Sequence, residues 1–390
     1  NIRRMIKFRT FNLNKPPILF KHKDKKRFEQ FIENKRNALL VLPRYDHSLS
    51  RSVIDIVDLN NFEIIHTYKH DIGEMLNQVT NTKEFSRIKI DHSLTRFEYR
   101  HPLLLDDGSI ISNSDYSIKF KIDFCSNLQW INDEEKFHHS KMLDHEGNIW
   151  AGGRMNPKSK YVKKYTIKDF ADDSIIKINT DGKILFNKSV SEILIENYII
   201  DQNIFLIDDP IHLNDIEPTF TDTEYWKQGD VFISTKHQSA IIHYRPSTNK
   251  LINYITGPFA QQHDVDIISN KEISIFNNNN SFVNNEHSEV IVYNFETKTF
   301  KKLFNDQLQK ENFKTESEGL SEIFKDGSLM VEEQNHGRII LFNSKGEKEW
   351  EFVNKDKNGD IGFISWSRVI EDEIFINKFK SIIEDKKCLN

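Results

Sequence analysis

The sequence predicts an all-β fold, a six-bladed β-propeller behind a short N-terminal extension. Three observations predict it. From residue 38 onward the chain is a succession of short runs rich in Ile, Val, Phe and Tyr, glycine-bearing turn signals separate the runs, and the runs recur in modules of about 40 to 55 residues. A chain of 390 residues has room for such a wheel. Its 37% hydrophobic residues and 29 Phe supply a core, and no run approaches the length of a membrane-spanning helix. With 54 Lys and Arg against 59 Asp and Glu, the net charge of −5 gives no general attraction to nucleic acid, so no nucleic-acid partner is expected.

Residues 1–36 form the extension. The basic run KHKDKKR at 21–27 leads into FEQFIENKR, where Phe28, Phe31 and Ile32 recur at helical spacing and predict a short amphipathic helix. The basic run reads as a solvated surface, with a stretch beside an N-terminal membrane tether outside the given chain as the alternative. Residues 37–390 form the propeller. Its modules are 37–68, 107–131, 146–153 resumed at 173–187, 229–255, 270–304 and 326–352, and turns are expected at Gly108, Gly147, Gly182, Gly229, Gly327 and Gly346. Helical periodicity is confined to 189–197 and, weakly, 71–79. The last segment, 364–379, is too short for a blade, so 37–68 should complete it and close the ring, leaving no free sheet edge. A pair of β-sandwiches or a β-helix would be the other architectures.

Four histidine sites stand just ahead of successive apolar strands: His101, the pair His138-His139, His212 and His263. Rotational repetition would bring them to one mouth of the central channel. Clustered imidazoles suit two chemistries, a metal site with an open position or nucleophilic and acid-base work on an anion. Asn214, in phase with His212 on a strand, offers amide donors, and Lys236 adds a cation; both favour a small oxyanion over a metal. No cofactor and no metal are expected. The five Trp read as blade packing, except that Tyr225 and Trp226 lie in a long insertion that could overhang the mouth. Asn277–Asn280 reads as a polar loop, and Gly152-Gly153-Arg154 lacks the lysine and length of a phosphate loop. Cys125 and Cys388 leave open whether they pair.

Several of these segments occur together, in order, in one known family. DPIHLND, GDVFISTKHQSAI, QQHD and SIFNNNN, preceded by HHSKMLDHEGNIWAGG and followed by SEGLSEIFKDGSLMVEEQNHGRIILF, resemble the arylsulfate sulfotransferase family of bacterial propellers, over about residues 99 to 368. The resemblance implies that a histidine takes the sulfuryl group from a phenolic sulfate ester and passes it, as sulfohistidine, to a phenol-like acceptor without a nucleotide donor. It implies His263 as nucleophile, with His212, Asn214 and His139 (His138 being the alternative) binding sulfuryl oxygens or handling the phenolic proton. Lys236 stands where the family has arginine, and Glu289 where it usually has arginine too. A periplasmic or otherwise extracytoplasmic location follows from the same resemblance; oligomeric state stays open. The alternatives are a propeller that binds a ligand or partner without catalysis, and a hydrolase or lyase using a histidine-held metal.

Overall fold

The computed structural model describes residues 19–33, 36–163, 170–199, 207–280 and 286–388. The glycines of all six expected turns take a left-handed conformation, with φ between 76° and 85°, which a side chain would resist. The runs between such turns are antiparallel strands, and the fold is an all-β propeller arrangement.

In chain order the strands are β1 (Phe28–Gln30), β2 (Leu39–Asp46), β3 (Arg51–Asp58), β4 (Glu63–Tyr68), β5 (Arg100–Leu104), β6 (Ile110–Asn113), β7 (Ser117–Ile122) and β8 (Leu128–Leu143). There follow β9 (Ile149–Arg154), β10 (Asp173–Ile178), β11 (Ile184–Ser189), β12 (Leu213–Pro218), β13 (Val231–Thr235), β14 (Ala240–Arg245), β15 (Lys250–Ile255) and β16 (Val265–Ile267). The last are β17 (Glu272–Asn277), β18 (Glu289–Asn294), β19 (Thr299–Leu303), β20 (Leu320–Ile323), β21 (Leu329–Glu333), β22 (Arg338–Phe342), β23 (Lys348–Val353) and β24 (Arg368–Ile370).

Four sheets are self-contained blades: β12-β13-β14-β15, β16-β17-β18-β19, β20-β21-β22-β23 with β1 added at its edge, and β24-β2-β3-β4. The expected count of six separate blades is not met, because β5 to β11 run as one seven-stranded sheet. The cause is β8, sixteen residues without glycine, proline or a turn. Its first part pairs with β7, as Ile131 with Phe120, and its second with β9, as Leu143 with Ile149, so one sheet continues through it.

Two further expectations fail at the chain ends. Phe28–Gln30 is a strand paired with β23, not a helix, and the Phe28 ring packs 4.5 Å from Phe62 and 6.4 Å from Trp350. A sheet edge with two aromatic partners outweighs weak helical spacing. The basic run before it is partnered as well: Lys21 and His22 bind Glu333, and Lys25 binds Glu351. At the other end, the segment after β24 is a helix, Glu373–Asp385, capped by the Asp372 side chain and burying Ile376 and Phe379. Cys388 beyond it is disulfide-bonded to Cys125, with Cα atoms 5.3 Å apart. Among the described residues no helix is long and apolar enough to cross a membrane.

Buried clusters fill the spaces between neighbouring sheets; Leu40, Leu42, Met330, Ile339, Leu341 and Trp350 form one. Pairing of β24 with β2, Ile370 opposite Leu39 and Arg368 opposite Val41, joins the C-terminal strand to the N-terminal ones.

Candidate active site at the strand starts

The residues that converge do so through an unusual backbone feature. His101 in β5, His139 within β8, His212 before β12, Gln261 before β16, Glu318 before β20 and Trp366 before β24 all have positive φ, between 36° and 61°. Left-handed backbone at a non-glycine costs about 1–3 kcal/mol and persists where the surroundings impose it. In β5, β8 and β12 the ladder shifts register at this point, so each is a bulge that re-aims a side chain. Three of the four expected histidine positions therefore correspond; His263 lies two residues beyond its blade's left-handed residue.

The side chains meet around His139. Its ring centroid lies 5.5 Å from His212, 6.0 Å from His263 and 6.0 Å from Trp366, and Trp366 is 5.5 Å from His101 and 6.3 Å from His263. Of the adjacent pair, His139 belongs to this group, while His138, wholly buried, backs it at a centroid distance of 5.0 Å.

Partners define which ring nitrogen holds each hydrogen. His138 Nε2 faces only acceptors, Gly153 O at 3.3 Å and Asp173 Oδ1 at 3.5 Å, so it carries the hydrogen. His138 Nδ1 is then left to accept from His139 Nδ1 at 2.8 Å. The hydrogen of His139 is thereby spent, and its Nε2 is a lone pair with no hydrogen-bond partner among the described residues. His212 donates from Nδ1 to Asp209 Oδ2 at 2.6 Å, which likewise leaves Nε2 bare. In His263 both nitrogens are engaged: Nδ1 donates to Asn278 Oδ1 at 2.7 Å, and Nε2 accepts from the Glu318 N–H at 2.9 Å. Asn278 is itself held by donating to Thr315 O and Glu318 O, which fixes its Oδ1 as the acceptor.

Burial favours the neutral form of His139, His263, His212 and His101. It holds His139 well below the usual imidazole value, reinforced by neighbouring His138, His212 and His263. His263 is also held well below that value, by burial and then by Lys236, and His101 by burial and Arg368. For His212 burial outweighs the Asp209 hydrogen bond, and the Lys236 field adds to the lowering. Neutral imidazole is the form that can attack or accept a proton.

Asn214 is wholly buried at the β12 bulge. Its amide donates to Gln262 O at 2.6 Å, and its Oδ1 has no partner among the described residues. Lys236, half-buried in the β13–β14 turn, is tied by its N–H to His212 O at 3.0 Å and acts electrostatically on both His212 and His263. Of the other cations nearby, Arg100 is bound to Glu98, Asp115 and Glu318 at 2.7, 2.9 and 2.7 Å, and Arg154 lies 3.5 Å from Asp173. Glu289 is neutralised away from the cluster by Lys302 at 2.5 Å and Asn277 at 2.9 Å.

The insertion containing Tyr225 and Trp226 does not overhang this mouth. It follows the far end of β12, six residues or roughly 20 Å from His212, and Trp226 is core, packed on Phe232 and Phe295. Sequence reasoning missed Asp173, Asp209, Asn278, Glu318 and Trp366. Three of them had a signal: Asp209 opens the DPIHLND motif, Trp366 stands at the start of the last strand segment, and Asn278 lies in the asparagine run after the strand ending in Phe276.

Comparison with known proteins adds the following. The family profile described as arylsulfotransferase (ASST) matches residues 101–355. No curated protein sequence matches the chain. Among solved structures, a protein of unknown function from Bacteroides caccae aligns with 13% identity over 86% of this chain and 99% of its own, at a TM-score of 0.53. A nidogen/laminin complex gives 8% identity over 85% and 98%, at 0.48. Virginiamycin B lyase from Staphylococcus aureus, as a catalytically inactive variant with quinupristin, gives 12% over 65% and 69%, at 0.38. At such identities the likeness concerns the fold alone.

Proposed function

The chain belongs to the arylsulfotransferase family, and we propose that it moves a sulfuryl group from a phenolic sulfate ester to a phenol-like acceptor through a sulfohistidine, with no nucleotide donor. In the first step an imidazole nitrogen bonds to sulfur as the sulfur–oxygen bond to the aryl group breaks, and the phenolate departs with the electron pair to be protonated by solvent. In the second, the acceptor oxygen attacks sulfur, the nitrogen–sulfur bond breaks, and a neutral imidazole collects the phenolic proton. Lys236, and the amide hydrogen of Asn214 not given to Gln262 O, would offer donors to the sulfuryl oxygens. The observation that carries the reading is the convergence of neutral imidazoles on His139 from separate strands.

The resemblance assigns the nucleophile to His263. Hydrogen bonding favours a second reading, in which His139 attacks: its Nε2 is uncapped, whereas His263 would first have to give up the Glu318 N–H. The remaining imidazole, with His212 oriented by Asp209, would manage protons. Six left-handed strand starts support taking the seven-stranded sheet as two blade positions sharing β8, which makes a ring of six. An extracytoplasmic location is supported by the Cys125–Cys388 disulfide, which persists in oxidising compartments.

Incubation with a para-substituted phenyl sulfate and a second phenol, rapid quench and peptide mass mapping tests this. The expected result is the added mass of one sulfuryl group on the peptide carrying His139 or the one carrying His263, and loss of transfer when that histidine is changed to Ala. Absence of the adduct across a panel of aryl sulfates would leave a ligand-binding propeller without turnover.

A further inference from the structure

The loop before β12 and the turn between β13 and β14 bring Asp209, His212 and His237 together beside the imidazole cluster, with ligand atoms all within 4.8 Å of one another. Asp209 Oδ2 is 2.6 Å from His212 Nδ1 and 3.9 Å from His237 Nδ1, and the two rings are 4.8 Å apart. We propose that these three side chains hold one divalent transition-metal ion of the zinc class, with solvent in the fourth position.

Tetrahedral zinc with arms of about 2.0–2.1 Å places its ligand atoms about 3.3 Å apart. The two separations from Asp209 bracket that value, the third is no more than 4.8 Å, and His237 Nδ1 would exchange its present hydrogen bond to Asp209 O, 2.5 Å, for the ion. The backbone is already tied for it. His237 N–H donates to Ile211 O at 3.1 Å, and the Gln238 side chain donates to Pro210 O at 2.8 Å. Side-chain exposures of 27%, 18% and 37% for Asp209, His212 and His237 leave a path for the ion and its water. Arg154, 4.0 Å from Asp209, and Lys236 oppose a cation, which sets the expected affinity in the micromolar range rather than the nanomolar.

Occupancy would change what His212 presents to the cluster. Without the ion its Nδ1 hydrogen goes to Asp209 and Nε2 is a base. A metal on Nδ1 takes that nitrogen's lone pair and leaves the hydrogen on Nε2, now a donor; the neutral ring loses no proton overall and nothing is oxidised. This consequence rests on the sulfuryl-transfer reading, but the site does not.

Zinc titrated calorimetrically into the metal-free full chain should bind one ion per chain with micromolar affinity, and cobalt in its place should show the intense visible bands of a tetrahedral complex. His237→Ala and, independently, Asp209→Asn should each weaken binding at least tenfold, with thermal melting confirming a folded chain. Binding is read directly, so a protein inert toward aryl sulfates tests the site equally well. Wild-type protein with no saturable zinc binding, or variants that both bind zinc as tightly as wild type, would overturn the proposal.

Discussion

Replacing Cys125 and Cys388 together with Ser should loosen the last strand of the ring and, through it, the imidazole cluster. The bond joins residues 263 apart in sequence. Loop-closure entropy for that length gives a ceiling of about 5.6 kcal/mol at 25 °C. Denatured-state structure reduces the figure, and the buried Ile376 and Phe379 of the C-terminal helix keep part of the docking without the bond. With an m value of about 3 kcal/mol/M, the ceiling corresponds to a fall of up to about 2 M in the urea midpoint. The helix follows β24, whose three residues hold Arg368 to Ile370 against β2, and β24 follows Trp366, which lies against His101, His139 and His263. Transfer should therefore fail at temperatures well below those that inactivate the oxidised wild type. Urea unfolding of wild type, reduced wild type and the double variant, followed by fluorescence, is the assay. An unchanged midpoint on both reduction and substitution would refute the claim that this covalent tie secures the ring.

Two other outcomes follow from the site. Because burial holds the folded His101 well below 6.5, the unfolded chain takes up its proton first as pH falls. The histidine thus favours folding fully above pH 6.5 and progressively less below it, by about 1.4 kcal/mol per pH unit in that window. His101→Gln should accordingly lose less melting temperature relative to wild type at pH 5.5 than at pH 7.5. Lys236→Arg should preserve or raise transfer, since a planar two-pronged donor replaces a point charge beside His212 and His263; a loss of tenfold or more would remove Lys236 from the sulfuryl site.

The sequence exposed the propeller through features that are local and repeated: turn glycines, β-branched runs, and histidines standing before strands. It exposed His139, His212 and His263 as neighbours because rotation of a repeated module makes residues distant in sequence adjacent. What stayed hidden depends on non-local partners. The β8 run NDEEKFHHSKML looks like a break between modules, yet two different neighbours sustain it as one strand. FEQ at 28–30 became a strand because β23 offered an edge. The Cys125–Cys388 pair could not be chosen by spacing, only by the docking of a helix that begins within the segment read as an incomplete blade. Sequence alternation likewise carries no sign of the left-handed residues, which shift the register where the chemistry lies.

Those strained positions explain a second feature, the buried carboxylates close to a site proposed for an anion. Asp173 accepts from Leu213 N–H at 2.8 Å, Asp215 from Val265 N–H at 2.9 Å, and Asp264 from Ser321 N–H at 3.0 Å. Glu332 accepts from Trp366 and Ser367 N–H at 2.7 and 2.8 Å. Each carboxylate thus pins the start of a later strand, immediately at the left-handed residue for Leu213 and Trp366 and three or four residues past it for Ser321 and Val265. A hydrogen bond to a charged group contributes about 1.5–3 kcal/mol, the same scale as the backbone strain it offsets. Burial pushes Asp215 and Asp264 upward, so their charge is costly, and the use that offsets this cost is holding backbone in place. The imidazoles can then converge from separate strands because the acids behind them bind the backbone.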